Sequence, residues 1–318
     1  MTQNLLSDLR IKEIRSRLNE YVKENPAVTN TGIAKGVGMS TSYVSQFRND
    51  KYPIKESEGE FALKIENYLD NEAAALTRVS RGHLKFAMTT AAQDIFKIAS
   101  YALTEGKIGV VTGVAGCGKT IAVQEFKKRN PTAVLIEVTP LVTQRSLVQS
   151  IARELKIPLF TYKHDVPKMV PNIVLFDEII DKLVDTRRLL IIDEGENNTV
   201  NCLEVIRRIQ DFTGIGVLLC GTKKLLERLR GSRKELQQLF SRVGIQKDIE
   251  LLQRGDVKAI LTVNYPEAMK FADNFLQLSK NNGRLLEHLV TLVKKTVYET
   301  GEELSVDLID EAASSLLT

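Results

Sequence analysis

The eight residues Gly113-Val114-Ala115-Gly116-Cys117-Gly118-Lys119-Thr120 fit the pattern G-x-x-x-x-G-K-[ST] in full. They follow a β-branched run at 108–112 and precede a helical pattern at 120–129. This motif in this context constrains the fold more than any other feature of the chain. Its glycines let backbone N–H groups converge on a phosphate with no Cβ in the way, and the following helix turns its positive end to the same anion. Lys119 is expected to contact the β- and γ-phosphates of ATP, and the Thr120 hydroxyl a Mg2+ ion.

Farther along, Leu189-Leu190-Ile191-Ile192-Asp193-Glu194 carries four apolar residues into two carboxylates. An apolar strand ending so places Asp193 to hold Mg2+ through water and Glu194 to orient and activate the attacking water. Short apolar runs at 108–112, 133–138, 189–193, 215–220 and 243–246 read as strands buried on both faces of a parallel sheet. Helical patterns at 120–129, 141–155, 172–184, 200–212 and 223–229 alternate with them, which is a doubly wound α/β layout. Patterns at 256–263, 266–278, 284–298 and 306–316 then suggest a small helical lid.

Only one further strand separates the phosphate loop from the Asp-Glu pair in sequence, and that arrangement resembles the AAA+ ATPases. The resemblance implies that the Asp-Glu strand and the loop strand have another between them in the sheet. It makes Thr222, after the strand at 215–220, the sensor of the γ-phosphate. It makes Arg242, closing Leu239-Phe240-Ser241-Arg242, an arginine finger reaching a neighbouring subunit's nucleotide, with Arg230 and Arg233 as competitors. Arg284 stands in the second sensor position, although it follows Gly283 directly where the family places its arginine a few residues on.

The amino-terminal stretch has a different rhythm. Leu5, Leu9, Ile14, Leu18 and Val22 recur at helical spacing, and residues 30–48 have the spacing of a helix-turn-helix. Ala34 is small where two helices must touch, Gly38 supplies a left-handed turn, and Val44 packs the second helix back on the first. Ser40 or Thr41 is suited to cap that helix. Thr41, Ser42, Tyr43, Ser45, Gln46 and Arg48 are expected outward, a set able to contact bases and phosphates. A helical hairpin with a protein-binding role has the same pattern. The expected organisation is a helix-turn-helix domain over 1–72, a linker over 73–95, an ATPase core over 96–249 and a lid over 250–318.

Charge bears on the partner. The net charge of +4 is mild, but twelve Lys/Arg against seven Asp/Glu fall between Val200 and Lys258, while residues 1–70 carry ten of each. Attraction to a phosphate backbone is therefore expected first in the second half of the core. The three cysteines are far apart and one lies in the phosphate loop, which fits a reducing cytosol rather than a disulfide framework or a zinc cluster. No apolar stretch approaches the roughly 20 residues of a membrane span, so no membrane partner is expected.

The whole order, helix-turn-helix then AAA+ core then lid, resembles the Mu B-type target-selecting transposition ATPases of phages. The likeness is carried by Asn49-Asp50-Lys51-Tyr52, Val138-Thr139-Pro140, the phosphate loop, Leu239-Phe240-Ser241-Arg242 and Asp256-Val257-Lys258-Ala259-Ile260. It implies ATP-dependent, largely sequence-independent binding of double-stranded DNA as a helical filament of identical subunits. That filament would activate an integrase-type transposase in a bacterial or phage-infected cytoplasm. It also implies DNA contacts from the core at Thr143, Arg145, Lys163 and Lys168. Two other readings of the residues stay open here: an ATP-switched transcription regulator and a replication-initiation or helicase-loading ATPase.

Overall fold

The computed structural model describes residues 6–26, 28–80, 84–163, 166–230 and 238–315, with the side chains at 55, 56, 73–80 and 163 outside that description. The chain divides into two units, Met1–His83 and Leu84–Thr318.

The first unit is all helical: α1 (Asp8–Glu24), α2 (Asn30–Val37), α3 (Thr41–Arg48) and α4 (Lys55–Ser80). Ser7, Thr29 and Ser40 cap the first three, each accepting a backbone N–H with its hydroxyl. Gly38 ends α2 at φ 68°, the left-handed conformation expected of it, so the chain turns directly into α3. Ile14, Leu18, Ile33, Ala34, Val44, Phe47, Phe61 and Ile65 are buried together. Phe47 sits at the centre, edge-on to Phe61 at 5.2 Å, with the Arg15 guanidinium 5.0 Å above its ring. Residues 73–80, placed in the expected linker, continue α4. Nothing between Gly59 and Gly82 breaks a helix, and three consecutive alanines favour one.

The second unit is built on a five-stranded parallel sheet. Its strands are β1 (Ile108–Gly113), β2 (Val134–Glu137), β5 (Leu189–Asp193), β6 (Gly216–Gly221) and β7 (Val243–Ile249), in the order β2-β5-β6-β1-β7. β6 thus lies between the loop strand and the Asp-Glu strand, the separation expected from the AAA+ resemblance. Side chains alternate between two cores. Ile108, Val110, Leu190, Ile192, Val217 and Leu219 face α7 (Gln144–Glu154), α8 (Asn172–Leu183), α9 (Val200–Thr213) and α10 (Lys223–Arg230). Val111, Leu189, Ile191, Leu218 and Cys220 face α5 (Thr90–Glu105) and α6 (Lys119–Arg129). Coverage of both faces is why these strands read as unbroken apolar runs.

Helix α7 starts at Gln144 rather than at 141, because Thr143 is its cap. Between α7 and α8, β3 (Phe160–Lys163) pairs with β4 (Val166–Met169) as a two-stranded antiparallel hairpin.

The lid contains α11 (Arg254–Asn264), a 3-10 turn (Pro266–Phe271), α12 (Ala272–Leu278), α13 (Gly283–Thr300) and α14 (Val306–Ser314). They close around Val257, Leu261, Phe275, Leu286, Leu289, Val290 and Ile309. Residues 84–90, placed in a linker by the sequence, are stapled to this lid. Backbone N–H groups of Leu84, Lys85 and Thr90 donate to Glu287, Asn264 and Asp256. Among the described residues no helix is long and apolar enough to cross a membrane.

Phe47→Ala should destabilise the first unit by about 3–5 kcal/mol, the usual cost of deleting a fully buried ring. Urea denaturation of the full chain followed by tyrosine fluorescence checks it; a shift below about 1 kcal/mol would show that Phe47 is not the centre of this core.

Candidate nucleotide site

In a parallel sheet every strand ends on the same side, so β1, β5 and β6 deliver Gly113, Asp193 and Gly221 to one edge. The phosphate loop leaves β1 there. Gly116 and Gly118 take φ values of 83° and 95°, which side chains rarely adopt, and α6 starts directly at Lys119. Cys117 is fully buried beneath the loop and pins its middle to the α5–α6 core. The Lys119 ammonium donates to the Gly113 carbonyl at 2.8 Å and the Val114 carbonyl at 3.0 Å. Thr120 is half-buried in the first turn of α6. Val114 and Ala115 are exposed at the tip of the loop.

Asp193 is buried at the end of β5 and accepts the Glu194 N–H at 3.0 Å. Glu194 has φ 54°, a left-handed conformation costly for a side-chain-bearing residue and typical of functional sites. Burial pushes its carboxyl above the ordinary carboxylate range, Glu196 and Asp193 push it further, and Lys119 and Arg284 oppose. Lys119, Asp193 and Arg284 therefore each lie within electrostatic reach of Glu194. Thr222 follows β6, and its hydroxyl oxygen is buried with no hydrogen-bond partner among the described residues. Such a group is unusual unless a ligand completes it.

Arg242 lies elsewhere. It precedes β7 at the opposite end of the sheet, where its carbonyl accepts the Ile108 N–H at 3.3 Å. Ile108 and Gly113 are the two ends of β1, about 16 Å apart at strand rise, so Arg242 does not serve its own loop. Its guanidinium donates to Gln238 O at 3.0 Å and pairs with Asp211, which also holds the buried Arg207. Arg230 lies over the Phe240 ring, and Arg233 is outside the described residues.

The expected DNA-contacting residues divide. Thr41 and Ser42 are exposed at the start of α3, while Ser45 and Gln46 are half-buried. Tyr43 leans on Tyr52, ring centroids 5.6 Å apart. Arg48 is not free on the outer face as expected. It donates to Asn19 at 2.9 Å and Asn30 at 2.6 Å, tying α3 to α1 and α2. In the core, the Thr143 hydroxyl caps α7, accepting the Ser146 N–H at 3.1 Å. Arg145 is exposed, with Met169 Sδ at 2.7 Å, and Lys168 is exposed on β4. The Lys163 side chain lies outside the described residues.

The basic excess between Val200 and Lys258 is not an open face. Of its ten cations among the described residues, six (Arg207, Arg208, Lys223, Arg242, Lys247 and Arg254) sit in ion pairs within the chain. Composition counts charges, whereas attraction to DNA needs unpaired ones. Two residues of the site edge escaped sequence reasoning. Asp248 accepts the Thr112 hydroxyl at 2.8 Å and pairs with Lys223 at 3.1 Å, joining β1, β7 and α10. Asn282 donates to the Ala115 carbonyl of the phosphate loop at 3.1 Å.

Known proteins align with this architecture. The profile of the AAA domain family matches residues 103–229. The ATP-dependent target DNA activator B of Escherichia phage Mu is 29% identical over 315 residues, 97% of this chain and 96% of that protein. The Mu-like prophage FluMu DNA transposition protein B of Haemophilus influenzae is 27% identical over 77% of this chain and 83% of its own. Among solved structures, the Aeropyrum pernix ORC2 protein superposes with a TM-score of 0.53 at 16% identity. That match covers 70% of this chain and 66% of the other, just under two thirds, and speaks for the fold alone. The chain has the AAA+ P-loop fold and is homologous, over nearly all of its length, to the Mu B-type transposition proteins.

Proposed function

We propose that this chain is a Mg2+-dependent ATPase that binds double-stranded DNA in its ATP form, largely without regard to sequence, and activates a partner transposase. One observation carries the reading: a phosphate loop and an Asp-Glu strand end meet in a chain that aligns end to end with a protein named ATP-dependent target DNA activator.

The donor set fits a nucleotide and its metal. The loop has the backbone turn an anion cradle needs, and the buried, unpartnered Thr222 hydroxyl points to a missing polar partner. Lys119, which donates to the Gly113 and Val114 carbonyls, would also reach the β- and γ-phosphates with its ammonium. Thr120 and Asp193 would hold Mg2+, which supplies charge neutralisation on the phosphate oxygens. Glu194, raised in basicity by burial, orients the attacking water and draws on its proton; Thr222 and Arg284 read the γ-phosphate. Arg242, remote from its own loop, acts on the nucleotide of a neighbouring subunit, which requires an assembly such as a filament.

For DNA, Arg145 and Lys168 beside the β3–β4 hairpin are the better candidates, because six of the ten described cations between Val200 and Lys258 are held in ion pairs. Lys163 on the same hairpin joins them, and Thr143 fixes the turn that presents Arg145. The exposed start of α3, Thr41 and Ser42 with Ser45 and Gln46 behind, adds a secondary contact.

Glu194→Gln should bind ATP normally and hydrolyse it at least a hundredfold more slowly, because the amide does not take a proton. Phosphate release in single turnover checks this, and unchanged turnover would remove Glu194 from the role. Arg242→Ala and Lys119→Ala should each be inactive alone yet regain hydrolysis when mixed, since mixed interfaces pair an intact loop with an intact finger. Absence of recovery at every ratio, with co-assembly shown, contradicts a finger in trans. Arg145→Ala should lower the slope of log affinity against log salt by about one unit on any DNA sequence, the signature of one lost phosphate contact. An unchanged slope removes Arg145 from the backbone contact.

A further inference from the structure

Asn282 does two jobs with two different atoms. Its Oδ1 caps α13, accepting the N–H groups of Arg284 at 2.9 Å and Leu285 at 3.3 Å. Its Nδ2 donates to the Ala115 carbonyl at 3.1 Å, 167 residues away in sequence. Beside it, the Gly283 N–H donates to the Gly116 carbonyl at 2.8 Å. The contact is tight on both sides. A Cβ on Gly116 would collide with the Asn282 amide, and one on Gly283 would stand 2.8 Å from the Gly116 oxygen. The approach to the cap is also fixed. Lys280 and Asn281 are consecutive left-handed residues, φ 51° and 60°, held there by a two-way bond between Asn281 and Leu252. Backbone strain of this kind persists only where surrounding contacts over-determine it.

We propose that Asn282 is a positioning residue for the nucleotide. It clasps the lid to the outer side of the phosphate loop, so that the Ala115 and Gly116 carbonyls face the lid and the loop N–H groups are left facing the phosphates. The physical need is plain. A loop whose N–H groups all turn toward one anion turns its carbonyls the other way, where they must find donors or go unpaired. Lys119 supplies them for Gly113 and Val114; Asn282 and Gly283 supply them for the next two residues. Capping alone does not call for asparagine, because serine and aspartate cap helices as well. Neither of those places an N–H donor on a second atom beyond its acceptor. The clasp also sets Arg284 two residues from the loop contact, within electrostatic reach of Glu194.

The proposal rests on the loop being the nucleotide site, and its test separates the two. Asn282→Ser and Asn282→Asp keep a capping oxygen and lose the donor. Binding of ATP and of ADP to the full-length chain is measured for both variants, for Arg284→Ala and for Lys119→Ala, with the thermal midpoint of each protein recorded without nucleotide. The clasp lies under the loop that cradles the β-phosphate, which both nucleotides carry. Asn282→Ser should therefore weaken ATP and ADP by the same factor, roughly three- to tenfold for one net hydrogen bond. Asn282→Asp should weaken both further, since its carboxylate would meet the Ala115 carbonyl and add a negative charge behind the loop. Arg284→Ala should instead weaken ATP more than ADP. Normal affinity in Asn282→Ser overturns the clasp while leaving the site intact, provided Lys119→Ala has lost binding. Normal affinity in Lys119→Ala overturns the site and the clasp together. A loss confined to ATP, or one that tracks a fall in the thermal midpoint of both Asn282 variants, assigns the residue to γ-phosphate sensing or to lid folding and overturns the proposal.

Discussion

A phosphate-binding loop has a problem that its motif does not advertise. Turning successive N–H groups toward one anion turns successive carbonyls away from it, and these have no place in the strand or the helix on either side. Here the carbonyls of Gly113 and Val114 accept the Lys119 ammonium, and those of Ala115 and Gly116 accept Asn282 and Gly283. Cys117, buried against the α5–α6 core, fixes the middle of the loop from below. The loop is thus held by its own lysine, by the sheet and by the lid. The lid's place is fixed in turn, with Leu84, Lys85 and Thr90 bonded along it through Glu287, Asn264 and Asp256.

From that anchor the chemistry of the site follows by geometry. Parallel strands end together, so Asp193 and Thr222 arrive at the same edge as the loop. The left-handed turn at Glu194 lets the chain reverse at once after β5, keeping the carboxylate at the edge. Arg242 is excluded from this group by the same sheet, because it precedes β7 at the far end. A finger so placed is useful only to another copy of the chain, so on the proposed reading each hydrolytic site is completed by assembly. Its ion pair with Asp211, shared with Arg207, gives a normally mobile side chain a set direction.

How much of this was legible in the sequence depended on whether the signal was local. The strands were readable because burial on both faces makes them plain apolar runs between turns, and the order of motifs gave their neighbours. The tight turn from α2 into α3 was readable because Ala34, Gly38 and Val44 each meet a local demand. The β3–β4 hairpin was not: its strands are four residues each, exposed, and β4 contains Pro167, which reads as a breaker. The inward turn of Arg48 depends on Asn19 and Asn30 meeting it across three helices, which no spacing rule announces. A charge count over the stretch after Val200 leaves out Asp94 and Asp273, which lie outside it and pair with Lys247 and Arg254. Asn282 was not singled out in the sequence, where an asparagine before a helix is an ordinary residue. Its contact with the phosphate loop needs that loop, far away in the chain, to be folded beside it.

The central claim is that nucleotide governs a sequence-indifferent grip on DNA, and a footprint tests it most directly. The full chain is incubated with a long DNA of mixed sequence, with ATP and Mg2+ or with neither, and nuclease protection is read along the whole molecule. The account predicts protection that spreads continuously over the DNA with ATP and vanishes without it. A single discrete protected site that persists without nucleotide would contradict it, and would make the helix-turn-helix an operator reader instead.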